Sequence, residues 1–356
     1  MISNVASAVN SLLSFEDLPH ITHISQKKQG FHPFPDKLYV VTAISNPCRY
    51  LSRYNLYRQF EKMVTDGGAI LYTVEMAFGG RPFEVTNANN LQHIQVRGTN
   101  ELWHKENLLN IGISRLPANA KFIALIDADI SFVRPDWAQE TIQQLQHYQV
   151  VQMFSHASDV GPNYQPINSA LSWTESIKQG LSFKGTKKEV VDGSSLSITG
   201  SGVKGAWHSG LAWAYRREAL DKLGGLIDWA ILGSADRNQI SGLFGHIEDT
   251  IDPTFSPQYK RWMLNWQDRA VRNIRKNVGQ VDGLVYHYWH GPKVNRKYTE
   301  RWKILSKYQF NPDIDIKKDS QGIWLLEDFN DERSIGLRNA LRDYFKVRQE
   351  DSTSLT

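Results

Sequence analysis

The 356-residue sequence contains a single cysteine, Cys48, and no uninterrupted run of about 18 apolar residues. One cysteine excludes an intrachain disulfide and any zinc site built from several cysteines. The lack of a long apolar run argues against a membrane-spanning helix. The first residues carry no basic segment ahead of an apolar core, which is atypical of a signal peptide. We therefore expect a soluble, cytoplasmic protein with no membrane partner.

Positive charge is concentrated in one part of the sequence. The chain has a formal net charge of +4, yet residues 257–303 carry 11 Lys or Arg and only 3 Asp or Glu. This segment therefore has a balance of +8, and the remainder has a balance of −4. A basic segment on an otherwise slightly acidic chain indicates an anionic ligand rather than a surface that binds polyanions generally.

Strand-like and helix-like apolar patterns alternate along the chain. This alternation predicts an α/β fold whose central sheet is mostly parallel and is flanked by helices on both faces. The predicted strands are 38–44, 69–74, 93–96, 122–126, 150–154, 206–215 and 281–288. The predicted helices are 50–64, 102–113, 137–148, 217–223, 261–276 and 331–347.

One large domain is predicted between two terminal segments. In order, we expect an N-terminal extension over 1–36, a single domain over 37–330 with halves at 37–155 and 206–330, and a C-terminal helix and tail over 331–356. Residues 156–205 show no apolar period, which predicts a lid or binding loop, with a passive surface insertion as the alternative. The tail from residue 348 onward is expected to be frayed.

The most informative motif is Asp127-Ala128-Asp129, directly after the apolar strand 122–126. In extended backbone, residues two apart point to the same side, so both carboxylates face one way at the carboxyl end of a buried strand. Such like charges repel each other unless a cation lies between them, and oxygen ligands suit Mg²⁺ or Mn²⁺. The motif therefore predicts a divalent metal site at the ligand-binding edge of the sheet. A solvated acidic turn is the alternative.

Four stretches together resemble a known enzyme family. They are the first strand and its loop at 42–49, the helix pattern with Leu-Leu-Asn at 103–112, the motif Asp127-Ala128-Asp129, and the segment 209–236 that ends in Gly-Ser-Ala-Asp. In this combination the chain resembles the metal-dependent glycosyltransferases of the GT-A fold with an Asp-x-Asp motif. Within that group it is most like the β-1,4-galactosyltransferase and chondroitin-synthase type.

The resemblance implies a GT-A-like nucleotide-diphospho-sugar transferase fold and a nucleotide-diphosphate sugar as the donor, with a UDP-sugar favoured. Residues 37–155 would then form the nucleotide-sugar half, and residues 206–330 the half for the acceptor and a metal-binding histidine. Cations beside a diphosphate stabilise the charge that grows on it as the sugar leaves. The donor-binding candidates are Thr42, Ile44, Asn46, Arg49, Lys105, Asn110 and Asp127, with Lys293 and Arg296 from the basic segment.

Two histidines follow the strand pattern near residue 285. Neutral imidazole is a good third ligand for Mn²⁺ once two carboxylates are placed. The stretch 285–293 also resembles the C-terminal histidine-containing metal motif of GT-A enzymes. We favour His290 over His287 as the ligand beside Asp127 and Asp129, for Mn²⁺ or Mg²⁺. That both are ordinary strand-end histidines is the alternative.

Asp236 is the candidate general base. It stands where the family has the second acid of a Glu-Asp pair, but here Ala235 precedes it and Arg237 follows it. Glu248 and Asp249 are the alternative bases. With a base at this place, direct displacement by an acceptor hydroxyl would invert the anomeric configuration, and a retaining reaction stays open.

Several alternatives stay open for the acceptor and for the class of function. A glycan, a small molecule or a hydroxymethylated DNA base could accept the sugar, and the oligomeric state stays open. A metal-dependent nucleotidyltransferase would share the sheet and the carboxylates, although the loop at 45–49 lacks the glycines that such enzymes carry. A non-catalytic nucleic-acid or carbohydrate-binding protein could use the basic segment and would show steeply salt-dependent DNA binding.

Overall fold

The structure is a computed structural model that describes residues 36–181, 205–298, 300–327 and 329–354. Residues 1–35 of the predicted N-terminal extension and residues 182–204 of the predicted lid lie outside the described residues. The strands of the described part are β1 (Leu38–Ser45), β2 (Ile70–Phe78), β3 (His93–Gly98), β4 (Phe122–Ile126), β5 (Ile130–Phe132), β6 (Val150–Gln152), β7 (His156–Val160), β8 (Pro166–Leu171), β9 (Ala212–Arg216), β10 (Val278–Gln280), β11 (Leu284–His287), β12 (Ile316–Lys318) and β13 (Trp324–Leu326).

The helices connect and cover these strands. None of the described helices combines the length and the apolar content that crossing a membrane requires. They are α1 (Leu51–Asp66), α2 (Lys105–Arg115), α3 (Trp137–His147), α4 (Trp173–Lys178), α5 (Arg217–Leu223), α6 (Ala235–Phe244), α7 (Pro257–Ile274), α8 (Trp302–Lys307), α9 (Pro312–Asp315) and α10 (Glu332–Lys346). Short 3₁₀ turns occupy Ile247–Thr250 and Lys293–Arg296.

A seven-stranded central sheet has the order β10-β6-β9-β4-β1-β2-β3. Four neighbouring pairs are parallel, namely β1 with β2, β1 with β4, β2 with β3, and β6 with β10. Strand β9 is antiparallel to both of its neighbours, β4 and β6. The carboxyl ends of β1 and β4 therefore meet at one edge of the sheet, where the Asp-x-Asp motif follows β4.

Alternate residues of the central strands enter two cores on opposite faces of the sheet. Val40 and Ala124 pack in the core shared with α1 and α3. Their chain neighbours Val41 and Ile123 pack in the core shared with α2, α5, α6 and α7. This is the strand period of two, with apolar residues required on both faces. The predicted fold class is confirmed, since a mostly parallel central sheet is flanked by helices.

A second sheet, in the order β5-β11-β7-β8, carries part of the site. Strand β11 is antiparallel to β5 and parallel to β7. This register places His287 opposite Ile130 on one side and opposite Asp159 on the other. A long-range pairing thus brings the histidine segment beside the turn that holds Asp129.

Two predicted boundaries differ from the structure. The segment 156–205 was predicted to be irregular, but β7, β8 and α4 occupy much of 156–178. The residues of β7 are mostly small or polar, so this strand shows no apolar period. The strand predicted over 206–215 begins only at Ala212, because Trp207 and Leu211 have φ values of 67° and 78°, which are incompatible with extended backbone.

The C-terminal tail packs against the domain, so the predicted fraying is wrong for the described residues up to 354. Arg348 and Glu350 are 4% and 2% exposed. The carboxylate of Asp351 accepts hydrogen bonds from the backbone N–H groups of Leu51 and Ser52, at 2.9 and 2.8 Å. These are the first N–H groups of α1, and the residue before the helix, Tyr50, supplies no side-chain cap.

Burial of His104 at the start of α2 makes the free energy of unfolding depend on pH. This side chain is 2% exposed, and its Nε2 lies 3.1 Å from the carbonyl oxygen of Asn100. Burial lowers the pKa of His104 from 6.5 to about 4. The unfolded chain therefore binds a proton between these values that the folded chain does not bind, and the free energy of unfolding falls as the pH drops through this window.

Between pH 7 and pH 4.5, we expect the free energy of unfolding of His104→Gln to fall by up to about 3 kcal/mol less than that of the wild type. Urea unfolding of both proteins at the two pH values measures these free energies of unfolding. The difference in free energy of unfolding between wild type and variant should narrow as the pH drops. Contributions from other histidines cancel in the comparison. An identical pH dependence in the two proteins would contradict a neutral, buried His104.

Candidate active site and metal centre

The Asp-x-Asp motif forms the turn between β4 and β5. The backbone N–H of Asp127 donates to the carbonyl oxygen of Leu211 at 2.8 Å, and the N–H of Tyr288 donates to the carbonyl oxygen of Asp129 at 2.8 Å. These bonds tie the turn to the segment before β9 and to the end of β11. The two carboxylates are thus fixed at the edge of the central sheet, but they have different partners.

Asp127 is paired with a lysine. Lys105, the first residue of α2, places its Nζ 2.9 Å from Oδ1 and 3.3 Å from Oδ2 of Asp127. Burial raises the pKa of Asp127, even though Lys105 acts to lower it. The structure brings Lys105 and Asp127 together. Asp127 is not one of the three residues that converge as a possible metal-binding group.

Asp129, His287 and His290 form that group, with one candidate ligand atom from each within 4.8 Å of the others. The Nε2 of His290 lies 3.2 Å from Oδ2 of Asp129, and the Nε2 of His287 lies 3.9 Å from Oδ1. The two Nε2 atoms are 3.2 Å apart. Such spacing fits neighbouring ligands of one octahedral ion, which stand about 3 Å apart when bond lengths are about 2.0–2.3 Å.

The hydrogen bonds around the two rings assign unprotonated nitrogens to this place. The Nδ1 of His287 lies 2.7 Å from Oδ1 of Asp159, so its proton belongs on Nδ1 and its Nε2 carries a lone pair. The Nε2 of His290 lies 3.0 Å from Nη2 of Arg296, which can only donate. The lone pair of His287 and the carboxylate of Asp129 therefore converge, and a metal ion that also used His290 would have to displace the hydrogen bond from Arg296. A set of two imidazoles and one carboxylate suits Mn²⁺ better than Mg²⁺.

The protonation states of the group also suit a metal. Burial, with help from Arg296, lowers the pKa of His290 to about 3, so its imidazole is neutral near pH 7. Burial acts to raise the pKa of Asp129, but His290, His287 and Arg53 overcome it, and the pKa lies below its usual value. A neutral imidazole and an ionised carboxylate are the forms that bind metal without releasing a proton.

A carboxylate lies behind each histidine, within hydrogen-bond distance of His287 and slightly beyond it at His290. Asp159, besides its contact with His287, accepts a hydrogen bond from Lys293. Glu350 lies 3.6 Å from Nδ1 of His290 and is itself held by Arg53 and Arg348, which donate at 2.9 and 2.5 Å. Partners of this kind orient metal-binding imidazoles and raise their basicity. The C-terminal segment therefore belongs to the candidate metal centre.

Replacing Glu350 by glutamine should weaken Mn²⁺ binding about 10- to 100-fold, because the ring of His290 loses the carboxylate behind it. Isothermal titration of Mn²⁺ measures the effect. Asp351→Asn is the matched control, since it alters the neighbouring acid that caps α1 and should leave Mn²⁺ affinity within about twofold. Equal loss of affinity in both variants would show that Glu350 only anchors the tail.

Several predicted donor-binding residues serve the fold instead. Thr42 is fully buried, and its hydroxyl donates to the carbonyl oxygen of Ile126 at 2.8 Å. Ile44 is 5% exposed and packs in the core with α1 and α3. The amide of Asn46 bonds both the N–H and the C=O of Tyr50. These three side chains present little or no free surface to a nucleotide.

The other four predicted residues have the following partners. Arg49 is exposed and pairs with Glu84 at 2.8 Å. Asn110 is held by the backbone of Leu226 and by Asp228, so it fixes the loop after α5. Lys293 and Arg296 lie at the metal-binding group, through Asp159 and His290 respectively. Of these four, only Lys293 and Arg296 lie beside the group of Asp129, His287 and His290.

Asp236 lies in the first turn of α6, and its Oδ1 accepts a hydrogen bond from the N–H of Arg237 at 2.8 Å. A Cβ on Gly210 would lie 2.7 Å from its Oδ2, so a larger residue there would have to displace the carboxylate of Asp236. Against its burial, Asp127 and Glu106 raise the pKa of Lys105, and burial raises the pKa of Asp127; the charge of Asp236 adds a smaller rise to both. The alternative bases Glu248 and Asp249 lie beyond the other end of α6, about 15 Å away along the helix.

Three contributors to the site, Asp159, Arg53 and Glu350, are not predicted from the sequence. Asp159 is in a strand without an apolar pattern, and Glu350 is about 300 residues from Arg53 in sequence. The cluster of Arg348, Glu350 and Asp351 was a visible signal of a charged, structured end. Nothing in its spacing indicated which residues it would meet.

Comparison with known proteins gives similarity of fold. No protein-family model matches the sequence, and no curated protein matches it. The catalytic domain of Drosophila β-1,4-galactosyltransferase 7 with xylobiose aligns over 69% of this chain and 64% of its own, at 11% identity and a TM-score of 0.30. A variant of that enzyme with manganese, UDP-Gal and xylobiose aligns over 82% and 94%, at 10% identity and a TM-score of 0.34. Staphylococcus aureus TarS with UDP-GlcNAc aligns over 88% and 81%, at 11% identity and a TM-score of 0.35.

Proposed function

We propose that the protein is a metal-dependent glycosyltransferase that moves a sugar from a nucleotide-diphosphate sugar, favoured as a UDP-sugar, to an acceptor hydroxyl. The observation that carries this proposal is the convergence of Asp129, His287 and His290 beside the Lys105–Asp127 pair. The predicted GT-A-like fold and its Asp-x-Asp motif agree with it. The galactosyltransferase and TarS structures that are similar in fold include complexes with sugar nucleotides.

In this proposal the side chains divide the work between leaving group and nucleophile. Asp129, His287 and His290 would hold Mn²⁺. When bound, the ion would stabilise the negative charge that grows on the departing diphosphate. Arg296 donates toward the same place, and Lys293 adds a second cation nearby. Lys293 is fixed by Asp159 before the reaction, whereas Arg296 would exchange its contact with His290 for the diphosphate when the metal is bound.

Asp236 would act as the general base. The acceptor oxygen forms a bond to the anomeric carbon, the bond from that carbon to the diphosphate oxygen breaks, and the hydroxyl proton passes to the carboxylate of Asp236. The nucleoside diphosphate leaves as the anion. This single displacement inverts the anomeric configuration. Support comes from the charge of Asp236, which acts to raise the pKa of both Lys105 and Asp127.

A panel of nucleotide sugars with Mn²⁺ tests the proposal, with nucleoside diphosphate release as the readout. We expect release from at least one UDP-sugar and loss of release on addition of EDTA. A parallel assay with nucleoside triphosphates and sugar phosphates, scored by pyrophosphate, tests the nucleotidyltransferase alternative. Pyrophosphate release without any diphosphate release would contradict the glycosyltransferase. An NMR spectrum of the product with retained configuration would remove Asp236 from the role of base.

A further inference from the structure

His208, just before β9, is a buried histidine with a ring nitrogen that has no partner. The residue is 7% exposed, and within the described residues its Nδ1 is buried without a hydrogen bond. Burial lowers the pKa of His208 to about 4, so the imidazole is neutral near pH 7 and carries one N–H donor and one lone pair. Leaving a buried polar atom without a partner is costly, so a hydrogen bond to a ligand would stabilise this side chain.

Main-chain hydrogen bonds fix the position of His208. Its N–H donates to the carbonyl oxygen of Leu171 at 2.9 Å. Its own carbonyl oxygen accepts from the N–H of Trp173 at 3.1 Å and from the side-chain amide of Gln152 at 2.8 Å. The imidazole packs edge-on against Phe154, with ring centres 5.8 Å apart. The ring is therefore held in place before any ligand binds.

A glycine brings this ring close to the candidate base. A Cβ built on Gly210 would lie 2.7 Å from Oδ2 of Asp236 and 3.7 Å from Cε1 of His208. Cε1 is bonded to both ring nitrogens, so the nitrogen-bearing edge of the imidazole and the carboxylate border the same space. The charge of Asp236 also acts on His208. Because residue 210 has no side chain, a ligand could contact both groups there.

The same ring is within electrostatic reach of the metal-binding group. Besides burial, the charges that act on the pKa of His208 are those of Asp159, Lys293 and His287, with Asp236 after them. Asp159 and Asp236 act to raise this pKa, whereas Lys293 and His287 act to lower it. His208 thus has neighbours both at the metal-binding group and at the candidate base, which are the groups that donor and acceptor would contact.

The imidazole and the carboxylate suit two different hydroxyl groups. Oδ1 of Asp236 accepts a hydrogen bond from the N–H of Arg237, and no hydrogen bond joins Asp236 to His208 among the described residues. An N–H donated to the attacking oxygen would hold a lone pair that the attack requires. A neighbouring hydroxyl is free of this conflict. Ala235, the residue before the base, has no polar side chain for that second contact.

We propose that His208 binds the acceptor, and that its neutral imidazole forms a hydrogen bond with the hydroxyl adjacent to the one that loses its proton to Asp236. This proposal rests on the proposed glycosyltransferase function. Because both groups border the space beside one glycine, the oxygens they bind must be close together, as those of adjacent hydroxyls are. The acceptor is then a sugar with hydroxyls on neighbouring carbons. His208 itself transfers no proton.

Transfer to methyl glycosides of glucose, galactose, mannose and xylose tests the proposal. The donor is the UDP-sugar that the donor panel identifies, and UDP release above the rate without acceptor is the readout. The best acceptor is then compared with its monodeoxy analogues. We expect one analogue, which lacks the attacking hydroxyl, to be inactive. We expect another, which lacks a hydroxyl adjacent to it, to show an acceptor KM at least about tenfold higher than the parent sugar.

His208→Phe keeps a ring of similar size but removes both nitrogens. In this variant, the acceptor KM for the parent sugar should rise at least about tenfold, and the donor KM should stay within about threefold of the wild type. The parent sugar and the adjacent-deoxy analogue should then have acceptor KM values within about twofold of each other, because the contact is already lost. A purely structural role would instead lower activity with both acceptors and preserve their ratio.

His156→Phe is the matched control. This imidazole of β7 is also partly buried, but the charges that act on it are those of Glu175 and Asp282 rather than Asp236. The variant should retain the wild-type preference for the parent sugar over its adjacent-deoxy analogue. His208→Gln, which keeps one donor and one acceptor, should retain part of that preference. Thermal unfolding of each variant shows whether a loss of activity reflects a loss of folding.

Three results would overturn the proposal. The first is an unchanged preference for the parent sugar in His208→Phe. The second is a wild-type enzyme that discriminates against no analogue except the one lacking the attacking hydroxyl. The third is transfer to a DNA duplex with 5-hydroxymethylcytosine but to none of the glycosides, since the hydroxyl of that base has no hydroxyl on an adjacent carbon.

Failure of the proposed function gives a different result. If no nucleotide sugar releases nucleoside diphosphate, and UDP with Mn²⁺ does not bind, the glycosyltransferase is contradicted and the acceptor role of His208 with it. If UDP with Mn²⁺ binds and the donor is hydrolysed by water, but no glycoside accelerates UDP release, only the acceptor proposal is contradicted.

Discussion

Asp129→Asn should lower the rate of nucleoside diphosphate release at least about a thousandfold, and added Mn²⁺ should not restore it. The change removes the anionic ligand from the group formed with His287 and His290, and it leaves two neutral imidazoles that bind a divalent cation weakly. Steady-state release assays over a wide range of Mn²⁺ concentration measure the loss.

Asp127→Asn is the matched control for this prediction. It removes an equal charge two residues away, but in the structure that charge is paired with Lys105 and not with the histidines. We expect this variant to bind the donor poorly and to keep the Mn²⁺ dependence of the wild type. A variant at Asp129 whose activity recovers at high Mn²⁺ would indicate that Asp127 is the main anionic ligand.

Asp236→Asn should lower kcat about 10²- to 10⁴-fold with little change in the KM for the donor. Asparagine preserves the shape beside Gly210, but it cannot take the proton of the acceptor hydroxyl. The rate of sugar transfer is measured with the acceptor that the donor panel identifies. Loss of kcat without loss of donor affinity separates a base from a residue that only supports the site.

Asp249→Asn provides the comparison at the opposite end of α6, where the alternative base lies. Its activity should stay within about threefold of the wild type, because Asp249 lies beyond the opposite end of α6 from Asp236. If Asp249→Asn is slower than Asp236→Asn, the base is Asp249 and the assignment of Asp236 is wrong. If both variants retain full activity, the reaction uses no carboxylate base from α6.

Local sequence patterns were sufficient to predict apolar elements whose formation depends only on residues close together in sequence. Strand β4 and helix α5 lie where the sequence predicts them, because an unbroken apolar run and a helical period ending in Gly224 need no distant contact. The Asp-x-Asp motif could be placed at the sheet edge for the same reason. What spacing could not show is that only Asp129 joins the histidines, since Lys105 reaches Asp127 from another helix.

The remaining parts of the site depend on contacts between distant segments. His287 enters the group because β11 pairs with both β5 and β7, a register that one strand pattern does not specify. Glu350 reaches His290 because the tail after α10 crosses the N-terminus of α1. Thr42 and Ile44 were misleading in a different way. Their alternation with Val41 already places them on one buried face, whereas the family resemblance suggested nucleotide contacts.

The most direct test of the central claim is pulsed EPR of Mn²⁺ bound to the protein, which detects nitrogen ligands through their hyperfine couplings. We predict two imidazole nitrogens in the wild type, one in His287→Ala and one in His290→Ala, and two in Asp127→Asn. A wild-type spectrum without nitrogen couplings, or loss of bound Mn²⁺ in Asp127→Asn alone, would contradict a metal centre built from Asp129, His287 and His290.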